Sequence, residues 1–117
     1  EIRALPAKAF YCHCRICQRL KGSPAMTLAQ VPISEFSYVA GKPSVYRSSD
    51  HGERRFCPRC GSQLDYRRSL DPQTVEFTIA TLDDPAQVAP MAHLFTENRI
   101  PWFDTMDQLP RRRRLTE

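Results

Sequence analysis

The chain alternates apolar and polar side chains over short stretches, which is the period of a β-strand. In the clearest stretch Val75, Phe77 and Ile79 share one face, and polar or small residues between them share the other. Glycine, proline and serine residues separate this stretch from others like it. On the same basis we predict strands at residues 26–29, 36–39, 44–47, 63–67 and 92–95. Strands at such short spacing favour a mainly β domain built from antiparallel strands.

Helical segments are predicted to be short, because ten prolines are spread along the chain and proline interrupts helices. Residues 18–21 fit a helical turn that ends at Gly22. Asp83 and Asp84 before Pro85 fit the start of another helix. A chain of 117 residues without an internal repeat or linker fits one domain. We therefore expect residues 1–117 to form a single domain.

Charge is concentrated at the C-terminal end. Residues 111–114 are all arginine and supply the whole net charge of +4. A nucleic-acid surface normally spreads its basic residues over a face or groove. We therefore interpret residues 111–117 as a solvated basic tail and expect no contact with nucleic acid. Contact with an anionic partner is the alternative.

Targeting signals are not apparent in the sequence. No apolar run approaches the roughly 20 residues that cross a bilayer, and the start lacks the order of a secretion signal. The first residue is Glu1 rather than methionine, which suggests that further residues precede it. Five cysteines, an odd number, favour reduced thiols on a metal over a disulfide framework. We expect a soluble, cytoplasmic protein without membrane contact.

The cysteines fall into two groups, of which the first is Cys12, Cys14 and Cys17. Residues two apart on an extended strand point to the same face, so Cys12 and Cys14 can reach one ion while His13 points away. Cys17 completes a C-x-x-C turn. Three thiolates suit a tetrahedral zinc ion with a fourth position to fill.

The second group is Cys57 and Cys60, another C-x-x-C pair. Two ways of dividing the five cysteines remain open. Cys14 and Cys17 could join Cys57 and Cys60 in one closed structural site, which leaves Cys12 spare. Alternatively, the first group holds one ion with an open position, the mark of catalytic zinc, and the second pair contributes to another ion.

Several motifs in order resemble one family. They are Cys-His-Cys-Arg-Ile-Cys-Gln-Arg at residues 12–19, Arg-Phe-Cys-Pro-Arg-Cys-Gly-Ser at 55–62, Thr-Leu-Asp-Asp-Pro at 81–85 and Pro-Trp at 101–102. The pattern is similar to the glutathione-dependent formaldehyde-activating enzyme (GFA) family. This resemblance implies a β-tent fold of antiparallel sheets, stabilised by zinc, with two zinc sites. Cys12, Cys14 and Cys17 would hold the catalytic ion, and Cys57 with Cys60 would hold the structural one.

The family's structural site also uses an N-terminal Cys-x-Cys strand, which this sequence lacks. Zinc at Cys57 and Cys60 is therefore in doubt. The activity that the resemblance implies joins the thiol of glutathione to formaldehyde and gives S-hydroxymethylglutathione, formally as a carbon–sulfur lyase. Arg54, Arg55 and Arg59 flank the second pair and could attract glutathione carboxylates, or could only balance thiolate charge.

Two non-catalytic alternatives stay open. The domain could be a zinc scaffold that binds a thiol or a partner without turnover, or a structural zinc ribbon with one ion. Three further side chains have simpler predicted roles. We expect His51 to face solvent, His93 to be buried and hydrogen-bonded, and Trp102 to pack in the core or a lid.

Overall fold

Seven β-strands form one sheet in the computed structural model, which describes residues 1–115. The strands are β1 (Lys8–Cys12), β2 (Met26–Pro32), β3 (Ser44–Ser49), β4 (Gly52–Phe56), β5 (Gln63–Arg68), β6 (Asp71–Thr78) and β7 (Ala92–Leu94). The α-helix in this part of the chain is α1 (Arg15–Lys21). Short 3₁₀ turns occupy Ile33–Glu35, Ile79–Thr81, Pro85–Gln87 and Thr96–Asn98. The predicted mainly β class is confirmed.

The strands lie in the order β3-β4-β5-β6-β2-β1-β7. Every neighbouring pair is antiparallel except β1 and β7, which run parallel. The sheet is therefore mixed rather than wholly antiparallel. The exception arises because β7 follows β6 by a crossover rather than by a hairpin, and it joins the sheet at the far edge.

Of the predicted strands, only residues 36–39 do not form one. Phe36 makes an isolated bridge to Ile2, and its ring lies 6.4 Å from that of Phe77. The hydroxyl of Tyr38 donates to Asp65. The alternation of apolar residues here reflects packing against the sheet and not pairing within it.

Alternate side chains of the strands build two hydrophobic clusters. One contains Ala9, Ala29, Val31, Val75, Phe77 and Ile79. The other contains Phe10, Cys12, Cys17, Met26, Leu28 and Leu94. Because neighbouring residues of a strand point to opposite faces, β1 and β2 contribute to both clusters. The first cysteine group therefore lies in a hydrophobic core on one face of the sheet.

Helix α1 follows β1 after a two-residue link. The sulfur of Cys14 caps its N-terminus by accepting a hydrogen bond from the backbone N–H of Cys17. Gly22 ends the helix at φ +58°, a left-handed conformation that favours glycine. The predicted helical turn at residues 18–21 is confirmed, and the helix begins three residues earlier. The predicted helix start at Pro85 is a single 3₁₀ turn.

The arginine run is exposed, but its backbone is paired with β7. The N–H of Arg112 donates to the carbonyl of His93 at 2.9 Å. The N–H of His93 donates to the carbonyl of Pro110 at 2.8 Å. The start of the predicted tail thus lies along the edge of the sheet, while residues 116 and 117 fall outside the described part. Within residues 1–115, no helix is long and apolar enough to cross a membrane.

Candidate metal centre

Three cysteine sulfurs converge where β1 passes into α1. The Sγ atoms of Cys12, Cys14 and Cys17 all lie within 4.8 Å of one another. Those of Cys12 and Cys17 are 3.4 Å apart. Thiolates on a tetrahedral zinc ion, at about 2.3 Å from the metal, would be about 3.8 Å apart. The three side chains therefore fit a metal ion, and within residues 1–115 no other group of three does.

The local fold determines where each of these sulfurs lies. Cys12 ends β1, Cys14 is the N-cap of α1 and Cys17 lies in its first turn. The link between them is fixed by His13, whose N–H donates to Leu94 at 3.0 Å. Its carbonyl accepts from the side chain of Gln18 at 2.8 Å. The ligand loop, residues 12–17, is therefore hydrogen-bonded both to β7 and to α1.

Proton affinities in the cluster are unequal. Hydrogen bonds from Cys12 and Cys17 hold the pKa of the Cys14 thiol far below its usual range. Hydrogen bonding with Cys14 and Cys17, together with burial, raises the pKa of Cys12. Removing all three protons would crowd three thiolates into a buried space, which is costly without a cation. A divalent cation at this position would stabilise the three thiolates together.

One cation of the protein already faces this cluster. Arg54 is 5% exposed, and its Nη1 lies 3.8 Å from the Sγ of Cys17. Its Nε donates to the hydroxyl of Ser48 at 3.0 Å, and its guanidinium stacks 4.4 Å from the ring centre of Tyr66. The arginine therefore cannot turn away easily, and its charge favours thiolates at the cluster.

The other two candidate arginines lie elsewhere. Arg55 forms ion pairs with Glu53 at 3.4 Å and with buried Asp65 at 3.6 Å. Arg59 is exposed in the turn between the second pair of cysteines. The structure therefore brings only one of the three predicted arginines to the cysteine cluster.

Cys57 and Cys60 form a separate turn. The N–H of Gly61 donates to the carbonyl of Cys57 at 2.7 Å, and the N–H of Cys57 donates to Ser62 at 2.8 Å. Neither sulfur belongs to the group formed by Cys14 and Cys17. This arrangement speaks against one closed site made from both pairs.

Comparison with known proteins identifies the family of this chain. A model of the family described as glutathione-dependent formaldehyde-activating enzyme matches residues 1–98. The chain belongs to the GFA family. Membership supports a glutathione-dependent formaldehyde-activating role in general. No protein with a curated function matches the chain.

One solved structure supports the fold. A Rhodobacter sphaeroides protein is 21% identical, with a TM-score of 0.62, and the match covers 80% of this chain and 86% of that one. At this identity the likeness concerns the fold alone. The GFA-family chain therefore has a backbone arrangement that a crystal structure also contains.

The sequence did not reveal a buried pair of histidines behind the cysteine loop. His13 and His93 are each 1% exposed, and their rings are hydrogen-bonded to each other at 2.9 Å. The predicted burial of His93 is confirmed. The sequence showed only that His13 lies between two cysteines. This position predicted that its side chain points away from the metal, but not that it is buried against His93.

Two other predictions about single residues have opposite outcomes. His51 is exposed, as expected. Trp102 is 73% exposed, so the prediction that it packs in the core or a lid is wrong. It lies with Ile100 and Pro24 around a shallow surface depression beside α1.

Proposed function

We propose that the chain is a zinc-dependent enzyme that joins the thiol of glutathione to formaldehyde and gives S-hydroxymethylglutathione. The observation that carries the proposal is the cluster of Cys12, Cys14 and Cys17. No fourth metal-ligating side chain joins it within residues 1–115. Three protein ligands with one position left is the pattern of catalytic zinc sites. An external thiol is the natural fourth ligand of such a site.

The three cysteines would hold the zinc ion, which when bound lowers the pKa of a thiol so that the thiolate is present at neutral pH. Three thiolates on Zn²⁺ leave a net charge of −1 on the site. Arg54, at 3.8 Å from Cys17, would offset this charge. Its position favours the approach of a further thiolate, which a buried anionic cluster would otherwise repel.

The reaction needs few protein groups. The thiolate sulfur of glutathione attacks the carbonyl carbon of formaldehyde, and the carbon–sulfur bond forms. The electron pair of the broken C=O π bond moves to oxygen, which takes up a proton and becomes the hydroxyl of the product. Bringing the two reactants together in a partly dry site is the main contribution expected from the protein.

The arginines have different proposed roles. Arg54 balances the charge of the cysteine cluster. Arg59 is exposed and free to meet a carboxylate of glutathione. Arg55 is held by Glu53 and Asp65 and contributes to substrate binding least. A glutathione-dependent role also fits a cytoplasmic location, where thiols remain reduced.

The test combines zinc content with consumption of formaldehyde in the presence and absence of glutathione. We expect zinc-bound wild-type protein to consume formaldehyde only when glutathione is present. Cys14→Ser should lose both the zinc and the activity, since it removes one of three ligands. Arg47→Gln, a change of an exposed arginine on β3, serves as the control and should behave as wild type.

Two results would overturn the proposal. Wild-type protein that holds zinc but consumes no small aldehyde with any thiol would be a non-catalytic zinc scaffold. Activity that survives in Cys14→Ser would separate the reaction from the cysteine cluster.

A further inference from the structure

A chain of hydrogen-bonded polar side chains leads away from the cysteine cluster. The Nε2 of His13 lies 2.9 Å from the Nδ1 of His93. The Nε2 of His93 lies 3.1 Å from a carboxylate oxygen of Asp107. Buried polar groups such as the two histidines are costly unless they are hydrogen-bonded, and Asp107 is half-buried. The three side chains therefore form one connected unit.

The direction of these hydrogen bonds follows from the carboxylate. Desolvation raises the pKa of Asp107, but hydrogen bonds from the Leu109 N–H and from His93 outweigh it and hold this pKa well below its usual range. An ionised carboxylate only accepts hydrogen bonds, so His93 carries its proton on Nε2. Its Nδ1 then accepts the hydrogen bond that His13 Nε2–H donates. In this arrangement both histidines carry a hydrogen on Nε2.

Asp107 is itself held in place by the segment around it. The N–H of Leu109 donates to its Oδ1 at 3.0 Å, and Arg111 donates to the same oxygen at 3.2 Å. The backbone of residues 110–112 is bonded to β7 at His93. These hydrogen bonds therefore hold the carboxylate beside β7.

The other end of the chain is the ligand loop. His13 lies between Cys12 and Cys14, and its ring also contacts Phe103, with ring centres 6.0 Å apart. A shift of His13 moves the Cα atoms of both neighbouring cysteines. The side chain that sequence reasoning placed away from the metal thus anchors the loop from behind.

We propose that His13, His93 and Asp107 are positioning residues that set the spacing of the cysteine sulfurs, so that residues 105–111 belong to the metal centre. Asp107 lies outside residues 1–98, to which the family match extends. The inference rests on the proposed metal centre, but it does not require turnover of formaldehyde. Its test therefore reads the metal and not the reaction.

The experiment compares three variants of the zinc-loaded protein. Asp107→Leu removes the acceptor, and Asp107→Asn keeps an oxygen that can accept from His93. Asp104→Leu changes an exposed aspartate three residues earlier and is the matched control. The readouts are the rate of zinc transfer to a chromophoric chelator and the cobalt–thiolate absorption bands of the Co²⁺-substituted protein.

We expect Asp107→Leu to release zinc about tenfold faster, as loss of outer hydrogen-bond partners at metal sites generally costs 10–100-fold in affinity. Its cobalt bands should shift, because the sulfur geometry changes. Asp107→Asn should stay within about threefold of wild type, since the hydrogen bond is retained. Asp104→Leu should match wild type in both readouts.

The inference is overturned if Asp107→Leu folds with wild-type zinc release and cobalt bands, or if Asp104→Leu has the same effects. A second measurement needs no variant. Long-range ¹H–¹⁵N spectra of the zinc-loaded wild type should show both His13 and His93 as the Nε2–H tautomer. The Nδ1–H tautomer at either residue would also overturn it. Loss of catalysis without a change in these readouts would count against the proposed function alone.

Discussion

Arg54 shows how much a single side chain can contribute at the cysteine cluster. It is buried, and its contacts with Ser48, Tyr66 and Cys17 fix the guanidinium in one orientation. A shorter or more flexible cation at this position would not keep all three contacts. The geometry of the contacts therefore matters as well as the charge.

We predict that Arg54→Gln lowers both zinc affinity and glutathione-dependent activity by about 10–100-fold. This corresponds to about 1.5–3 kcal/mol, the usual contribution of a hydrogen bond to a charged group. Arg54→Lys should recover part of the loss, because it restores the charge but not the planar guanidinium that stacks on Tyr66. Zinc titration and initial rates measure the effect.

Arg47→Gln again serves as the matched control. Equal losses in Arg54→Gln and Arg47→Gln would show that net charge is responsible and not the contact with Cys17. Full recovery in Arg54→Lys would show that the positive charge is sufficient and that the orientation of the guanidinium does not matter.

Single residues differ in how far the sequence could predict them. The three cysteines Cys12, Cys14 and Cys17 were predictable, because spacings of two and then three residues are enough to bring their sulfurs to one ion. Arg54 could be named as a candidate, but its approach to Cys17 depends on how β4 lies relative to α1. Asp107 could not be found, since 94 positions separate it from His13 and no local pattern connects them. A single sequence does not show which distant residues lie close together in the fold.

Helix α1 is an element whose end can be tested. Gly22 has φ +58°, and a Cβ added there would meet nothing within 4 Å. The cost of a substitution is therefore confined to the backbone conformation. The N–H of Gly22 also donates to the carbonyl of Gln18 and closes the helix.

We predict that Gly22→Ala destabilises the protein by about 1 kcal/mol, because alanine avoids the left-handed region. Gly22→Asn should cost less, since asparagine adopts this conformation more readily. Chemical denaturation of the zinc-loaded protein measures both free energies of unfolding. A neutral effect of Gly22→Ala would mean that the helix end can change conformation without cost.

A second element depends on a buried ion network. Residues 36–39 do not pair as a strand, and the Tyr38 hydroxyl fastens them to the sheet by donating to Asp65 on β5 at 2.6 Å. Asp65 is fully buried and also accepts from Arg67 at 3.1 Å. Burial, and then this hydrogen bond, raise the pKa of Tyr38. The phenol therefore remains a donor at neutral pH.

We predict that Tyr38→Phe lowers the free energy of unfolding by about 1.5–3 kcal/mol, the usual worth of a hydrogen bond to a charged group. Tyr46→Phe is the control, because the Tyr46 side chain is 51% exposed and should lose almost nothing. Urea denaturation at neutral pH gives both values. Similar losses in the two variants would remove the special role of the Asp65 network.

Among the elements, apolar alternation predicted five of the seven strands and missed β1 and β4. The sequence of β4, Gly-Glu-Arg-Arg-Phe, contains no such alternation. Its Arg54 is buried by stacking on Tyr66 and by facing the cysteines, which hydrophobicity alone does not indicate. Gly52 begins this strand because a Cβ would lie 2.8 Å from the Ser49 hydroxyl and 2.9 Å from the Tyr66 ring.

At the scale of the whole molecule, the cysteine cluster is part of a hydrophobic core. Cys12 and Cys17 pack with Phe10, Met26 and Leu28, so the ligands come from β1 and α1 while these neighbours come from β1 and β2. Metal binding at such a position is coupled to folding, because the unfolded chain does not hold the three sulfurs together. The stability of the domain should therefore depend on the metal.

The last prediction concerns the metal content of the whole chain. We expect residues 1–117 to bind about one zinc ion, held by the three-cysteine cluster. Removing it with a chelator under reducing conditions should lower Tm by more than about 10 °C, because several kcal/mol of binding energy are lost. The double variant with Cys57→Ser and Cys60→Ser should keep its zinc and most of this stabilisation, whereas Cys14→Ser should lose both. Elemental analysis and thermal unfolding measure these effects, and loss of all zinc in the double variant would restore the single closed site made from both cysteine pairs.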